Sequence, residues 1–170
     1  MEQESIINLQ GGARIDAGAI RLYVKRLSAA LELGKRHFNV CFVDDRAIRR
    51  LNLEFRGKNR ATDVLSFPWN APGEGEKPGA DGAKGRGFLG EIIISAETAR
   101  RNARAEGHPF SDEMRWLILH GALHLLGYDH EQDHGEMTKL ELNLRDVLDS
   151  GVASARGIAR RAPRTRAKRP

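Results

Sequence analysis

The sequence contains the run His120-Gly-Ala-Leu-His124-Leu-Leu-Gly-Tyr-Asp-His130, which places three histidines within eleven residues. Residues four apart lie on one face of a helix, with Cβ atoms roughly 5–6 Å apart, so His120 and His124 can bind one metal ion. Gly127 can end that helix in a left-handed conformation and reverse the chain, which returns His130 as a third ligand. Three imidazole ligands leave the fourth position of a tetrahedral zinc ion to water, as in catalytic rather than structural sites.

The helix that carries the first two histidines is predicted over residues 111–126, and it is apolar on almost every side. Such a helix is buried. A single histidine there would most simply be a hydrogen-bonded core residue, and a pair could be a surface feature. Two neighbouring buried imidazoles need polar partners, however, and one shared cation serves both. We therefore predict one Zn²⁺ per chain, on a central buried helix. The apolar residues are Met114, Trp116, Leu117, Ile118, Leu119, Ala122, Leu123, Leu125 and Leu126.

A glycine follows the first histidine where zinc peptidases of the H-E-x-x-H type carry the glutamate that acts as general base. Because Gly121 stands at that position, a peptidase of this mechanism is disfavoured. Glycine inside a helix costs about 1 kcal/mol relative to alanine, which indicates a close approach by another group. The backbone of a substrate is one candidate for that group.

Length and composition indicate a single globular domain without membrane spans. The chain has 170 residues, and no apolar run approaches the roughly 20 residues of a spanning helix. Its first residues lack the basic and apolar regions of a signal peptide, and one cysteine, Cys41, rules out an internal disulfide framework. We read Cys41 as a core residue and expect a cytoplasmic protein.

The positive charge of the chain is concentrated at its C-terminal end. The net charge is +5, yet residues 1–150 hold 21 basic and 23 acidic residues, a net of −2. We predict a folded domain over 1–150 and a disordered basic tail over 151–170. The tail suits a phosphate backbone, through counterion release, or serves as a solubilising extension, and both interpretations stay open. Its basic residues are Arg156, Arg160, Arg161, Arg164, Arg166, Lys168 and Arg169.

Apolar periodicity predicts four strands and five helices, hence an α+β fold with a mixed sheet covered by helices. Capping residues are expected at Asp16, at Asp44 or Asp45, and at Ser95. The helix after residue 44 is predicted to bury Ile48, Leu51 and Phe55. Residues 68–87 form a long polar insertion, either a lid or a surface loop. The predicted strands are 5–10, 38–43, 62–67 and 89–95, and the other predicted helices are 16–33, 95–106 and 135–149.

Two further motifs accompany the histidine run: Arg56-Gly-Lys-Asn-Arg-Ala-Thr62-Asp63-Val-Leu-Ser66-Phe67 and Leu89-Gly90-Glu91-Ile-Ile-Ile-Ser95. Together with H-G-x-L-H-L-x-G-Y-D-H they closely resemble the YbeY family of bacterial ribosomal RNA maturation endoribonucleases. The resemblance runs in the same order over about residues 36–148.

The resemblance implies an α+β fold, with His120, His124 and His130 as zinc ligands and Arg56 as the catalytic basic residue facing the metal. It also implies metal-dependent cleavage of single-stranded RNA, in the maturation of the 3′ end of small-subunit ribosomal RNA and in ribosome quality control. RNA and the small ribosomal subunit would be its partners.

Other polar residues are candidates with two interpretations each. Without the resemblance, Arg56 would be read as a surface arginine, although a guanidinium suits the charge of a phosphoryl transition state. Lys58 and Arg60 are candidates for phosphate contacts. Asp129 either orients a ligand histidine or belongs to the turn after Gly127. The remaining histidines, His37, His108 and His134, are expected to be structural or exposed.

Three functions therefore remain for comparison. The first is a zinc-dependent endoribonuclease, and the second is another zinc hydrolase, such as a peptidase. The third is a non-catalytic RNA- or ribosome-binding factor with structural zinc. An open fourth coordination position argues against the third.

Overall fold

The computed structural model describes residues 5–69 and 87–150. The predicted tail and most of the predicted insertion lie outside these residues. No helix within the described ranges is long and apolar enough to cross a membrane. The elements in chain order are β1 (Ile6–Asn8), α1 (Ala17–Ala30), β2 (His37–Val43), α2 (Asp45–Arg56), β3 (Val64–Pro68), β4 (Phe88–Ser95), α3 (Ala96–Glu106), α4 (Phe110–Leu125) and α5 (Glu136–Asp149).

The four strands form one mixed sheet in the order β1-β2-β4-β3. Strand β2 pairs in parallel with β1 and with β4, whereas β3 pairs antiparallel with β4 at the edge. The predicted α+β architecture of a four-stranded mixed sheet with five helices is confirmed. Strand β3 extends one residue beyond its predicted end, to Pro68, because an edge strand tolerates a residue without a backbone N–H.

Helix α4 lies at the centre of the larger of two apolar cores. One face of the sheet packs against α1, α4 and α5, and Ile118, Leu119 and Leu123 of α4 are completely buried there. The opposite face packs against α2 in a smaller core. Successive side chains of a strand point to opposite faces of the sheet. Ile92 and Ile94 therefore pack in the larger core, and Ile93 packs in the smaller one. The prediction that the histidine helix is buried is thus confirmed.

Helix α2 differs from its prediction at its last turn. Ile48 is fully buried as expected, but Phe55 is 60% exposed, so the expectation that it joins the core was wrong. The last turn of the helix lies against β3, the edge strand of the sheet within the described residues. The ring of Phe55 packs edge-on against Phe67 of β3, with centroids 5.0 Å apart.

Asp45 ties the start of α2 to the start of α3. One carboxylate oxygen accepts hydrogen bonds from the hydroxyls of Ser95 and Thr98, both at 2.6 Å, and the other pairs with Arg101 at 2.7 Å. Burial by itself raises the pKa of Asp45, but these hydrogen bonds and the charge of Arg101 outweigh burial and lower the pKa below its usual value. The ionised carboxylate therefore stabilises the fold.

We predict that Asp45→Asn lowers the free energy of unfolding by about 1–2 kcal/mol at pH 7, because charge-assisted hydrogen bonds are lost. The pKa of Asp45 is lower in the folded state than in the unfolded state. Stabilisation by its carboxylate is therefore complete above the unfolded-state pKa of about 3.9, and it is lost as the pH falls below that value. In urea denaturation the difference from the unsubstituted protein should therefore shrink below about pH 4. The control is Asp146→Asn, on the exposed face of α5. A difference independent of pH would contradict the role of the charge.

Candidate metal centre

Gly127 ends α4 and reverses the direction of the chain, as predicted. Gly127 has a left-handed φ of 92°. The N–H of Gly127 donates to the carbonyl of His124 at 2.9 Å, and that of Tyr128 donates to Leu123 at 3.1 Å. These two bonds form a Schellman motif, which ends a helix and redirects the chain. The segment after Gly127 consequently passes back over the last turn of α4 and carries His130 with it.

The three predicted ligand histidines meet in one cluster. Their potential ligand nitrogens all lie within 4.8 Å of one another, and the Nε2 atoms of His120 and His124 are 3.1 Å apart. Two nitrogens bound to one tetrahedral zinc ion, at roughly 2.0–2.1 Å each, lie about 3.3 Å apart. His120 and His124 are half-buried, whereas His130 is exposed. The donor set and its spacing fit a divalent metal ion.

The surroundings of His124 lower its pKa and so favour its neutral form. Burial lowers the pKa of His124, and the nearby His120 and His130 lower it further, despite a hydrogen bond between its ring and the backbone of Tyr128. A neutral imidazole is the form that binds metal. His124 is therefore in the form that can accept a cation.

Glu141 of α5 contacts the cluster, and the sequence analysis did not identify it. Its Oε2 accepts a hydrogen bond from Nδ1 of His120 at 3.1 Å, and its Oε1 accepts one from Arg145 at 2.5 Å. Burial raises the pKa of Glu141, but His120 and Arg145 outweigh it and hold the pKa below its usual value. One signal was available in the sequence: Glu141 is a carboxylate placed among the apolar positions Met137, Leu140 and Leu144 of an amphipathic helix.

Two aspartates shape the segment that carries His130. Oδ1 of Asp129 accepts a hydrogen bond from the backbone N–H of Glu131 at 3.0 Å. Of the two roles predicted for Asp129, this contact matches that of a turn residue after Gly127. Among the described residues Asp129 forms no hydrogen bond to a histidine. The carboxylate of Asp133 accepts from the backbones of Gly135 and Met137, both at 2.8 Å, and thereby caps α5.

The predicted cationic residues lie at the end of α2 and just after it. Arg56 is the last residue of α2, and Lys58 and Arg60 lie in the loop to β3; all three are exposed. Buried Asn52 holds this loop by donating from Nδ2 to the carbonyl of Arg60 at 2.9 Å. Within residues 5–69 and 87–150 the three side chains form no hydrogen bond or ion pair, with the histidines or otherwise.

The other histidines have local partners or face solvent. Nε2 of His108 lies 2.6 Å from Oε2 of Glu113, and its Nδ1 is 3.9 Å from Glu106. His108 and the two carboxylates thus form a polar cluster at the α3–α4 corner. The ring of His37 packs against Phe88, with centroids 5.4 Å apart, and His134 is exposed.

Gly121 marks a close approach, as predicted, but the group that approaches is not a substrate. Gly121 is buried, and a Cβ there would lie 2.7 Å from Cγ2 of Ile92 in β4. The idea that a substrate backbone passes at Gly121 was therefore wrong, since the sheet itself occupies that space. A glutamate in this position would have to enter the packed interface between α4 and the sheet.

Comparison with known proteins gives consistent matches over most of the chain. Residues 7–149 match the model of a family described as Endoribonuclease YbeY. The chain is 39% identical over 147 residues to an Endoribonuclease YbeY of Solibacter usitatus, covering 86% of this chain and 89% of the relative. It is 37% identical over 157 residues to that of Desulforamulus reducens, covering 90% and 96%.

A solved structure is also similar. The solution structure of the protein TM1509 from Thermotoga maritima has a TM-score of 0.57 and 27% sequence identity to this chain. The match covers 96% of this chain and 100% of that one.

We predict that Gly121→Ala lowers the free energy of unfolding by about 1–3 kcal/mol, because the added methyl group overpacks the contact with Ile92. The sign of this change in stability is informative, because helix propensity by itself predicts that alanine stabilises α4 by about 1 kcal/mol relative to glycine. Urea denaturation of Gly121→Ala, Ile92→Ala and the double variant measures the coupling. The destabilisation caused by Gly121→Ala should disappear in the Ile92→Ala variant. Equal costs in both backgrounds would mean that Ile92 is not the cause.

Proposed function

The chain belongs to the YbeY endoribonuclease family, and from that premise we propose that it is a zinc-dependent endoribonuclease of the cytoplasm that cleaves single-stranded RNA. Its proposed role is the maturation of the 3′ end of small-subunit ribosomal RNA and ribosome quality control, with RNA and the small subunit as partners. The observation that carries this proposal is the three-histidine cluster, whose ligand nitrogens lie within 4.8 Å of one another.

The nature of the donors supports zinc as the metal. An all-imidazole set suits zinc among the common biological cations, whereas magnesium and calcium prefer oxygen ligands. Three protein ligands leave a position for the reacting group. When bound, the ion supplies a Lewis acid that polarises a phosphoryl oxygen and activates water. His120, His124 and His130 are the proposed ligands.

The exposed cations on and after α2 suit the polyanionic substrate. Arg56 is the proposed catalytic residue, since its guanidinium can donate two aligned hydrogen bonds to the charge that develops on the phosphoryl oxygens. Lys58 and Arg60 are proposed to bind neighbouring phosphates of the RNA backbone. The exposed ring of Phe55, next to Arg56, offers a surface for base stacking, which suits single-stranded RNA.

The competing zinc peptidase is the weaker candidate because of Gly121. The base of that mechanism would occupy this position, and the close contact with Ile92 leaves no room for a carboxylate there. The third candidate, a zinc-containing factor that binds RNA without cleaving it, is distinguished by turnover.

We predict that zinc-loaded protein cleaves an unstructured RNA but not the same sequence in a duplex. His124→Ala should lose both bound zinc and activity, whereas Arg56→Ala should keep its zinc and lose about 100-fold to 1000-fold in kcat, as expected for removal of a transition-state donor. Atomic absorption measures the bound zinc of each variant, and cleavage rates under single-turnover conditions measure its activity. The matched controls are His134→Ala and Arg50→Ala, exposed residues of the same types.

Three outcomes would redirect this assignment. Cleavage of casein with no cleavage of RNA would favour the peptidase, and tight RNA binding without turnover, insensitive to chelation, would favour the binding factor. A precursor carrying the 3′ end of small-subunit ribosomal RNA tests the specific role. If other single-stranded RNAs are cut and this precursor is not, the nuclease activity stands and the maturation role fails.

We predict that Phe55→Ala weakens binding of single-stranded RNA about tenfold, because stacking of one base on an aromatic ring contributes roughly 1–3 kcal/mol. Titration of a fluorescent RNA with each variant measures the Kd. The control is Leu22→Ala on α1, since Leu22 and Phe55 are each 60% exposed. An equal effect of both substitutions would rule out a stacking contact at Phe55.

A further inference from the structure

We propose that Glu141 of α5 is a positioning residue of the metal centre, which fixes His120 in the tautomer that presents Nε2 to the ion. This inference rests on the proposed function insofar as His120 is a ligand. It adds that the ligand is oriented by a side chain of another helix, 21 positions later in the sequence.

The contact with Glu141 determines which ring nitrogen of His120 carries the proton. A neutral imidazole has one N–H, and an ionised carboxylate can only accept. Because Oε2 of Glu141 lies 3.1 Å from Nδ1 of His120, the proton of that ring is placed on Nδ1. The lone pair of Nε2 is then free, and Nε2 is the atom that faces Nε2 of His124 at 3.1 Å. The hydrogen bond thus selects the form of His120 that can bind metal, as carboxylate partners of metal-bound histidines do elsewhere.

Glu141 is itself held in place by Arg145. Its other oxygen, Oε1, accepts from Arg145 one turn later on α5, so each carboxylate oxygen has its own partner. The guanidinium of Arg145 lies over the ring of Trp116, 4.4 Å from the ring centroid. Trp116 precedes His120 by one turn on α4. Helix α4 therefore carries both His120 and the Trp116 ring that Arg145 packs against. The hydrogen bond between Glu141 and His120 consequently depends on how α5 docks against α4.

The two half-buried proposed ligands, His120 and His124, are oriented in different ways. The ring of His124 bonds to the backbone of Tyr128 within its own turn, so local structure orients it. His120 depends on a side chain from a separate helix, and its own side chain is 30% exposed, whereas that of Glu141 is only 12% exposed. A change at Glu141 should therefore affect the metal centre with little change in the turn that carries His124.

The test is zinc affinity, measured by competition with a chelator at fixed pH. Glu141→Gln keeps the size of the side chain but can offer an N–H to Nδ1, which favours the wrong tautomer, so zinc affinity should fall about 10-fold to 100-fold. The visible spectrum of the cobalt-substituted variant should change as well, because the orientation of one ligand changes. The control is Glu136→Gln, an exposed glutamate on the same helix, which should bind zinc as the unsubstituted protein does.

A second variant keeps the test decisive if Glu141→Gln fails to fold. Arg145→Gln leaves the carboxylate in place but frees one oxygen, and it should weaken zinc binding about threefold to tenfold. Unchanged zinc affinity in folded variants would overturn the positioning role. That result would leave the proposed function standing as long as His124→Ala still loses zinc. Absence of zinc binding by the unsubstituted protein would instead overturn the proposed function.

Discussion

The contact between Gly121 of α4 and Ile92 of β4 is the constraint on which the metal centre depends. Because glycine has no side chain, α4 lies close against the sheet, and a Cβ at this position would be 2.7 Å from Ile92. The same turn of the helix carries His120, the residue directly before Gly121. Close packing also leaves no space for a carboxylate after the first histidine. The contact between Gly121 and Ile92 therefore fixes how closely α4 packs on the sheet and excludes a glutamate after the first histidine.

Helix α5 completes the centre through a mixture of apolar and charged contacts. Met137, Leu144 and Leu148 are buried in the larger core and fix the rotation of the helix. That rotation directs Glu141 toward His120 and Arg145 toward the ring of Trp116. Burial of a carboxylate and a guanidinium is tolerated because each has a partner of opposite charge. The apolar face of α5 thus determines the orientation of a proposed metal ligand on α4.

The proposed substrate contacts and the metal centre lie on separate elements. The cations Arg56, Lys58 and Arg60 belong to the end of α2 and the loop after it, which buried Asn52 holds in place. Side chains without partners in the described structure are free to exchange solvent for phosphate. The histidines, in contrast, are linked to one another and to α5. The proposed catalytic arginine therefore comes from a different element of the fold than the proposed metal ligands.

The sequence by itself determined the features that depend on neighbouring residues. Spacings of four and ten identified the histidine cluster, Gly127 identified the turn that returns His130, and periodicity identified the four strands and five helices. Features that depend on distant residues were decided only by the tertiary structure: the pairing of Glu141 with His120, the identity of Ile92 as the neighbour of Gly121, and the exposure of Phe55. The physical reason is that hydrophobic periodicity and capping report local geometry, whereas the docking of α4 and α5 onto the sheet depends on packing between segments far apart in the chain.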